Sequence, residues 1–247
     1  MLNIVIPMAG SGVRFAKAGF AKPKPFIDVN GAPMILRVME NIFIRDARYI
    51  LICRSEHLAG ENCEIRKLIE ARFDCVFLPI EKPTEGAACT ILHARQYFDS
   101  DDPLLLANSD QLVDIDVADF YRDCMERALD GSIMTFLDPS KDPKWSFART
   151  GPDGYVIEVR EKQPISENAT VGIYLFRRGR NFVDGAIDMI VRNDRVNGEF
   201  YTCPVYNYLL GDNRKIGIYN IPAGKMHGLG TPEDLEKYLA TGNSPRL

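Results

Sequence analysis

The chain has 247 residues, a formal net charge of −4 and a hydrophobic content of 46%. The length suits one large domain, and the apolar content is sufficient for a substantial core. The acidic balance argues against a broad nucleic-acid-binding surface. No apolar run reaches the roughly 18 residues of a membrane span, and no basic segment precedes the first apolar run, so we predict neither a membrane span nor a secretory signal.

The number and spacing of the cysteines indicate the redox compartment and whether a zinc site is present. The six cysteines are scattered, none forms a Cys-x-x-Cys pair, and only three histidines could supplement them as ligands. We therefore predict a reduced, cytoplasmic protein without a zinc site.

The predicted elements alternate between apolar strands and amphipathic helices. In chain order they are a strand at 3–8, a helix within 31–45, a strand at 48–53, a helix at 62–73, a strand at 75–80, a helix at 86–98 and a strand at 103–107. Continuously apolar strands that alternate with helices predict an α/β protein with a Rossmann-like, mostly parallel sheet and helices on both faces. Ligands of such sheets bind at the carboxyl ends of the strands.

The pattern changes near residue 138, after a strand at 133–137. A polar, proline-containing stretch leads into a hairpin with strands at 145–150 and 155–159, turning at Pro152-Asp153-Gly154. The remaining elements are a strand at 169–176, helices at 180–192 and 206–210, a strand at 216–221 and a final helix capped by Thr231. We predict a single domain over 1–247, with halves at 1–137 and 138–247.

A loop of small residues follows the first strand and consists of Ala9, Gly10, Ser11 and Gly12. Such a loop exposes several backbone N–H groups together, and Arg14 and Lys24 add cations, the lysine in a stretch stiffened by proline. These groups are suited to holding a polyphosphate. Neither a Walker A loop nor a dinucleotide fingerprint fits, because no Gly-Lys-Ser/Thr follows and Phe15 stands where the fingerprint needs a third glycine. An ordinary tight turn is the alternative.

Two further polar segments follow predicted strands. Residues 81–86 come after the strand at 75–80, and residues 108–111 come after the strand at 103–107. A carboxylate placed like Asp110, just beyond a buried strand, can hold a magnesium ion that bridges phosphates. A helix cap or a turn aspartate is the alternative for Asp110. The convergence of polar segments on strand ends predicts a binding site there.

The run from Met8 to Phe15, together with Pro23-Lys24-Pro25, resembles the signature of the sugar-phosphate nucleotidyltransferases, the nucleoside-diphosphate-sugar pyrophosphorylases. The resemblance implies a GT-A-like nucleotidyltransferase fold with a small acceptor-binding β lobe. It also implies that the glycine loop wraps a triphosphate, that Arg14 and Lys24 are catalytic contacts to phosphates, and that Asp110 is a catalytic metal ligand for Mg²⁺.

The same resemblance implies further substrate contacts. On the nucleotide side they are Glu81, Thr84, Gly86 and Ser109, in addition to the glycine loop, Arg14 and Lys24. On the acceptor side they are Glu161, Lys162, Gly172 and Glu199, with Lys162 on the acceptor phosphate. An ionised Glu81 would suit a base that offers N–H groups, since a carboxylate only accepts hydrogen bonds. Solvated surface side chains are the alternative for Glu81 and for the Glu161-Lys162 pair.

One departure from the family pattern concerns a second metal ligand. Relatives usually carry an aspartate two residues before the glycine of the Gly-Thr-Pro-Glu-Asp-Leu run, and this chain has Gly228 there. The second-metal role and the usual acceptor geometry are therefore open for this chain. Met8 is a smaller departure, because a second alanine is commoner at that position.

The resemblance implies an enzyme that transfers a nucleotidyl group from a nucleoside triphosphate to a phosphorylated small molecule, preferentially a sugar 1-phosphate, and releases pyrophosphate. Residues 1–137 would bind the nucleotide and residues 138–247 the acceptor. Alternatives are cytidylyl or guanylyl transfer to a non-sugar phosphate, a glycosyltransferase that uses Asp114-Ile-Asp116, and a silent nucleotide-binding regulator. We expect no nucleic-acid or membrane partner, and a homo-oligomer is left open.

Overall fold

Buried apolar strands form the centre of the molecule, as the alternating pattern predicts. The structure, a computed structural model, describes residues 1–60, 62–211 and 214–242. Its strands are β1 (Asn3–Pro7), β2 (Asp28–Val29), β3 (Ala32–Pro33), β4 (Arg48–Arg54), β5 (Cys75–Ile80), β6 (Leu104–Ala107), β7 (Gln111–Val113), β8 (Gly131–Leu137), β9 (Ser146–Thr150), β10 (Val156–Glu161), β11 (Asn168–Phe176), β12 (Ile216–Ile221) and β13 (Met226–Gly228). Its α-helices are α1 (Val13–Lys17), α2 (Met34–Asn41), α3 (Asn62–Glu70), α4 (Ala87–Leu92), α5 (Val117–Glu126), α6 (Gly179–Val191), α7 (Asn207–Leu210) and α8 (Pro232–Ala240).

One large mixed sheet carries the fold. Within the described ranges it has nine strands, with a path β5-β4-β1-β6-β11-β9-β10, and β8 and β12 join it through β11. Strands β5, β4, β1 and β6 are mutually parallel, and β12 runs parallel to β8. Strand β11 runs antiparallel to both β6 and β8. The mostly parallel α/β sheet is therefore confirmed, and β11 is the long strand of opposite direction inside it.

Both faces of this sheet are buried, which explains why its strands are continuously apolar. In β1, Ile4 and Ile6 belong to one hydrophobic cluster, whereas Val5 belongs to the other. The first cluster includes side chains of α2, α5 and α8, and the second includes side chains of α4, α6 and α7. Alternate side chains of a strand point to opposite faces, so a strand covered on both sides must be apolar throughout.

Three helix predictions were too long, and local turn chemistry explains the first of them. Asn30 and Gly31 have φ angles of 51° and 82°, which makes a tight hairpin between β2 and β3. The helix predicted within 31–45 consequently begins only at Met34 and ends at Asn41. The helix predicted at 62–73 ends at Glu70, and the helix predicted at 86–98 is α4 followed by a separate 3₁₀ turn.

Two expectations about composition can be compared with the structure. All six cysteines lie in the described ranges and are free thiols. Among the helices of those ranges, none combines the length and the apolar character that crossing a bilayer requires.

Tyr206 joins the helical layer to the sheet. Its ring is fully buried and stacks on Phe176, with centroids 4.5 Å apart. Its hydroxyl donates toward the carbonyl oxygens of Ser132 at 3.1 Å and Leu175 at 3.0 Å, two residues that face each other in the β8–β11 ladder. A polar group buried at such depth is tolerated because it is hydrogen-bonded.

We expect Tyr206→Phe to lower the free energy of unfolding by about 1–2 kcal/mol, because two buried carbonyl oxygens lose a donor. For a chain of this size that corresponds to a fall in Tm of about 2–8 °C. Tyr208→Phe is the matched control, since the Tyr208 hydroxyl donates to Asp194 at 2.8 Å at the surface; we expect it to change stability by less than about 0.5 kcal/mol. Equal Tm values for the two variants in thermal unfolding would contradict the role given to Tyr206.

Candidate active site

The glycine loop leaves the central strand and leads directly into α1. Met8 N–H donates to the carbonyl oxygen of Ile52 at 2.8 Å, which ties the start of the loop to β4. Gly12 has a φ of 61° and begins α1. Arg14 lies exposed in that helix. Its charge adds to the backbone contacts, the Thr231 hydrogen bond and Lys237 in lowering the pKa of Glu233 at the start of α8. The charge of Arg14 thus acts on the first turn of α8.

Lys24 and Asp110 form an ion pair beside this loop. Lys24 begins a 3₁₀ turn whose next two residues, Pro25 and Phe26, are buried. Its ammonium donates to Oδ2 of Asp110, and the two side chains are 19% and 22% exposed. A Cβ atom on Gly12 would lie only 3.3 Å from the Cβ of Lys24, so the loop and the lysine segment are in close contact. The structure therefore brings Gly12, Lys24 and Asp110 together at the carboxyl ends of β1 and β6.

Asp110 lies between β6 and an antiparallel ribbon of β7 and β13 that the sequence did not reveal. In this ribbon Gly228 is paired with Gln111, and Leu229 N–H donates to the carbonyl oxygen of Asp110 at 2.7 Å. A Cβ atom on Gly230 would come within 3.2 Å of Asp110 Oδ2, whereas one on Gly228 would meet no atom within 4 Å. The ribbon brings the run after Gly228 against the Asp110 carboxylate.

The side chains around Asp110 bear on whether a metal fits. Among residues 1–60, 62–211 and 214–242, no group of three or more His, Cys, Asp or Glu side chains is arranged to hold a metal ion. Mg²⁺ does not need such a cage, since it keeps several waters and binds through one or two carboxylates plus substrate phosphates. A single half-buried carboxylate beside the glycine loop fits that manner of binding. His227 is engaged elsewhere, with its Nε2 2.8 Å from Asp114 Oδ2.

The segment predicted to bind the base returns from the sheet edge toward the second half of the chain. Glu81 is exposed just after β5, two strands away from β1. The Thr84 hydroxyl donates to the carbonyl oxygen of Gly86 at 3.0 Å and also contacts Thr90. Gly86 has a φ of 128°, and a side chain there would collide with the backbone of Phe200. Only glycine permits this approach of the two segments.

Phe200 is joined to the same segment by two backbone hydrogen bonds. Its N–H donates to the carbonyl oxygen of Glu85 at 2.8 Å, and its carbonyl oxygen accepts from Ala88 N–H at 3.0 Å. Arg195 adds an ion pair to Glu85 at 2.6 Å. The predicted base segment and the segment that carries Glu199 are therefore one connected unit.

Gly172 lies over two amide side chains that sequence reasoning did not select. Its φ is 90°, and a side chain there would collide with those of Asn108 and Gln111. Asn108 donates through its backbone N–H to the Gly172 carbonyl oxygen at 3.1 Å and through Nδ2 to Gln111 Oε1 at 3.0 Å. Ser109 lies half-buried between Asn108 and Asp110. Asn108 and Gln111 thus connect the Asp110 segment to β11. Their polar side chains directly after an apolar strand were the sequence signal that could have identified them.

Glu161 is buried, unlike the solvated side chain of the alternative interpretation. It is 7% exposed at the end of β10, and the Ser146 hydroxyl donates to its Oε2. Burial raises the pKa of Glu161, while the Ser146 hydrogen bond and the Lys162 charge act in the opposite direction. A buried carboxylate with a hydrogen-bond donor and a neighbouring cation has a fixed orientation.

Lys162 follows directly and contacts Tyr201, which the sequence analysis did not select. Its Nζ donates to Tyr201 Oη at 2.6 Å and lies 4.6 Å from the ring centroid. Burial raises the pKa of Tyr201, and the charge of Glu199 acts in the same direction. Glu161, Lys162 and Glu199 thus lie near one another, and Tyr201 is in direct contact with Lys162.

Comparison with known proteins shows which family the chain belongs to. The family model described as nucleotidyl transferase matches residues 4–193. The chain is 23% identical over 245 residues to the UTP–glucose-1-phosphate uridylyltransferase AglF of Haloferax volcanii, covering 96% of this chain and 94% of that protein. It is also 23% identical over 240 residues to the bifunctional protein GlmU of Methanococcus aeolicus, where 95% of this chain matches but only 53% of the relative, so the chain spans about half of that protein's length.

A solved structure shares the fold. The nucleoside-diphosphate-sugar pyrophosphorylase from Vibrio cholerae RC9 superposes with a TM-score of 0.80 at 23% identity, covering 96% of this chain and 99% of that one. The family model covers most of the chain, and the likeness to this structure is one of fold. This chain belongs to the nucleotidyl transferase family.

Proposed function

We propose that the protein transfers a nucleotidyl group from a nucleoside triphosphate to a sugar 1-phosphate, forming a nucleoside-diphosphate sugar and pyrophosphate. The observation that carries the proposal is the Lys24–Asp110 ion pair beside the glycine loop, at the adjacent ends of β1 and β6. The uridylyltransferase relative, named for UTP and glucose 1-phosphate, supports the substrate class.

In this proposal each half of the chain binds one substrate. Residues 1–137 hold the triphosphate through the glycine loop, Arg14 and Lys24. The base lies near the residues Glu81, Thr84, Gly86 and Ser109. Residues 138–247 hold the acceptor, with contacts from Glu161, Lys162, Gly172 and Glu199. A base contact through the Thr84 hydroxyl requires that it exchange its bond to the Gly86 carbonyl oxygen.

The chemistry needs no protein nucleophile. An oxygen of the acceptor phosphate attacks the α-phosphorus, a new P–O bond forms, and the bond from the α-phosphorus to the bridging oxygen breaks as pyrophosphate leaves. The protein contributes alignment of the two substrates and cations for the charge that develops. Lys24 and Arg14 supply those cations on the nucleotide side, and Lys162 orients the acceptor phosphate.

Asp110 is the residue that would hold magnesium, and binding through Oδ2 requires that this oxygen exchange its ion pair with Lys24 for the metal. The ion, when bound with the triphosphate, supplies positive charge that polarises phosphoryl oxygens. The open space at Gly228 leaves this chain with one carboxylate at the site where the family pattern has two. The free thiols support a reducing compartment such as the cytoplasm.

Two alternative reactions differ in their products or acceptors. The gap at Gly228 favours, as a second candidate, a phosphorylated acceptor that is not a sugar. A glycosyltransferase that uses the Asp114-Ile-Asp116 segment is disfavoured, because Asp114 pairs with His227 at 2.8 Å and Asp116 caps α5 by accepting from Ala118 N–H at 2.9 Å.

A panel of the four common nucleoside triphosphates against sugar and non-sugar phosphates, with Mg²⁺, tests the proposal by pyrophosphate release. We expect one base and a sugar 1-phosphate to give the highest kcat/KM. Preference for a non-sugar phosphate would select the second candidate. Release of nucleoside diphosphate from a nucleotide sugar, with no pyrophosphate from any pair, would contradict both.

We expect Asp110→Asn to fold normally and to lower kcat at least about 100-fold, because the side chain keeps its shape but loses the charge that holds the metal. Asp123→Asn is the control, since it removes only a surface ion pair to Arg127 at 2.9 Å. The measurement is the steady-state kcat of both variants at saturating magnesium. A wild-type kcat for Asp110→Asn would contradict the assignment of Asp110 as a metal ligand.

Lys24→Ala should lower kcat by about 10²–10³, the usual effect of losing one preorganised contact to developing charge. Lys22→Ala is the matched control, because Lys22 precedes the same proline-rich stretch but is exposed. Circular dichroism and thermal unfolding should show both variants folded. Near wild-type kcat for Lys24→Ala would place the phosphate site elsewhere.

Lys162→Ala should raise the KM for the acceptor and leave the KM for the nucleotide nearly unchanged, because the ammonium ion binds a compact dianion on the acceptor. Lys144→Ala is the matched control, since Lys144 also lies over an aromatic ring, 4.7 Å from the Trp145 centroid, but is exposed and paired with Asp142. If Lys162→Ala left both kcat and the acceptor KM at wild-type values, the proposed acceptor site would have no support.

A further inference from the structure

Lys162 has a backbone conformation that few residues other than glycine adopt. Its φ is 55°, immediately after β10 ends at Glu161. Its N–H still donates to the carbonyl oxygen of Trp145 at 3.0 Å, which extends the β9–β10 ladder by one bond. A strained conformation of this kind persists only where the surroundings enforce it, and it occurs preferentially at functional sites. The backbone conformation of Lys162, and with it the direction in which its side chain leaves β10, is therefore set by the surrounding structure.

Tyr201 is the side chain that receives Lys162. Its Oη accepts a hydrogen bond from Nζ at 2.6 Å, and the ammonium ion lies 4.6 Å from the centroid of its ring. The phenol oxygen therefore presents a lone pair to the lysine. Burial raises the pKa of Tyr201, so the phenol remains protonated at neutral pH. One neutral side chain thus holds a cation that lies 39 positions away in the chain.

Tyr201 is itself held by a rigid segment, residues 196–200. Val196 and Glu199 exchange two backbone hydrogen bonds of 3.0 Å across Asn197 and Gly198, whose φ angles are 50° and 82°. This is the Asn-Gly hairpin turn that matches strand twist. Phe200, the last residue before Tyr201, is 1% exposed and makes two backbone hydrogen bonds to the segment around Gly86. These hydrogen bonds fix the backbone immediately before Tyr201, and so limit the positions that its ring can take.

We propose that Tyr201 is a positioning residue that holds the Lys162 ammonium ion in place for the acceptor phosphate. This inference rests on the proposed function. A lysine has a flexible four-carbon stem, and its three N–H donors lose many conformations when they bind a ligand. Tyr201 takes one donor through its hydroxyl oxygen, and the other two donors remain for phosphate oxygens. The entropy of ordering the lysine is then lost on folding and not on acceptor binding.

Tyr201→Phe tests the proposal, because it keeps the ring and removes only the hydroxyl. We expect the KM for the acceptor to rise about tenfold, as for loss of a hydrogen bond to a charged group, with the nucleotide KM changed less than about twofold. In a Lys162→Ala background the same substitution should have no further effect on the acceptor KM, since the two residues act as a unit. Tyr208→Phe, outside the site, is the matched control.

A measurement without substrates tests the same contact. Limited acetylation with acetic anhydride, followed by mass spectrometry of the tryptic peptides, reports how readily each lysine reacts. The hydrogen bond to Tyr201 holds the Lys162 amine against the phenol, and acetylation needs an amine that can turn toward the reagent. We therefore expect Lys162 to react several-fold faster in Tyr201→Phe than in wild type, with the rate at Lys144 unchanged. A Lys162 rate equal in both proteins would overturn the proposal.

The kinetic outcomes that overturn the inference differ from those that overturn the proposed function. If wild type released pyrophosphate and Tyr201→Phe kept the wild-type acceptor KM, or if both KM values rose together, Tyr201 would not position Lys162 for the acceptor. If Tyr201→Phe raised the acceptor KM as much in the Lys162→Ala background as in wild type, the inference about Tyr201 would also be contradicted. A wild-type protein that released no pyrophosphate with any pair would contradict the proposed function itself.

Discussion

The parallel pairing of β1 with both β4 and β6 is the constraint on which the site depends. Because Val5 is in register with Leu106 and Pro7 with Ile52, the loops that follow these strands begin side by side. The strand can hold this central place because its apolar side chains are buried on both faces, with Ile4, Val5 and Ile6 each 0% exposed. A glycine loop on β1 and an aspartate after β6 become neighbours for that reason, although they are about a hundred positions apart in the chain.

Elements with strong local signals could be predicted from the sequence. The apolar runs of β1, β4, β5 and β6 and the Asp-Gly hairpin of β9 and β10 lie where the patterns indicate. The direction of β11 could not be predicted, because an apolar run has no direction until its partners are known. The ribbon of β7 and β13 was also missed, since strands of three residues are too short to show an alternating pattern and one of them ends in glycine.

The site shows a similar division. The glycine loop and Asp110 follow buried strands, and the topology of parallel sheets makes such ends converge. Tyr201 carries no comparable local signal, because its role comes from a contact between distant segments. Glu161 was open to a solvated interpretation, and only the packing of β9 beside β10 buries it and pairs it with Ser146. Sequence reasoning thus anticipated that the glycine loop and Asp110 lie together, and it did not anticipate the contact of Lys162 with Tyr201.

The two backbone hydrogen bonds of Phe200 have a thermodynamic consequence for the two substrates. They join the segment around Gly86 to the segment that carries Glu199 and Tyr201, so neither segment changes its equilibrium position independently of the other. Where occupation of one site shifts this shared unit, linkage requires that occupation of the other site shift it by the same free energy. Under the proposed function, any effect of the acceptor on nucleotide affinity therefore equals the effect of the nucleotide on acceptor affinity, and the Phe200 hydrogen bonds and the Arg195–Glu85 ion pair are the contacts that join the two segments.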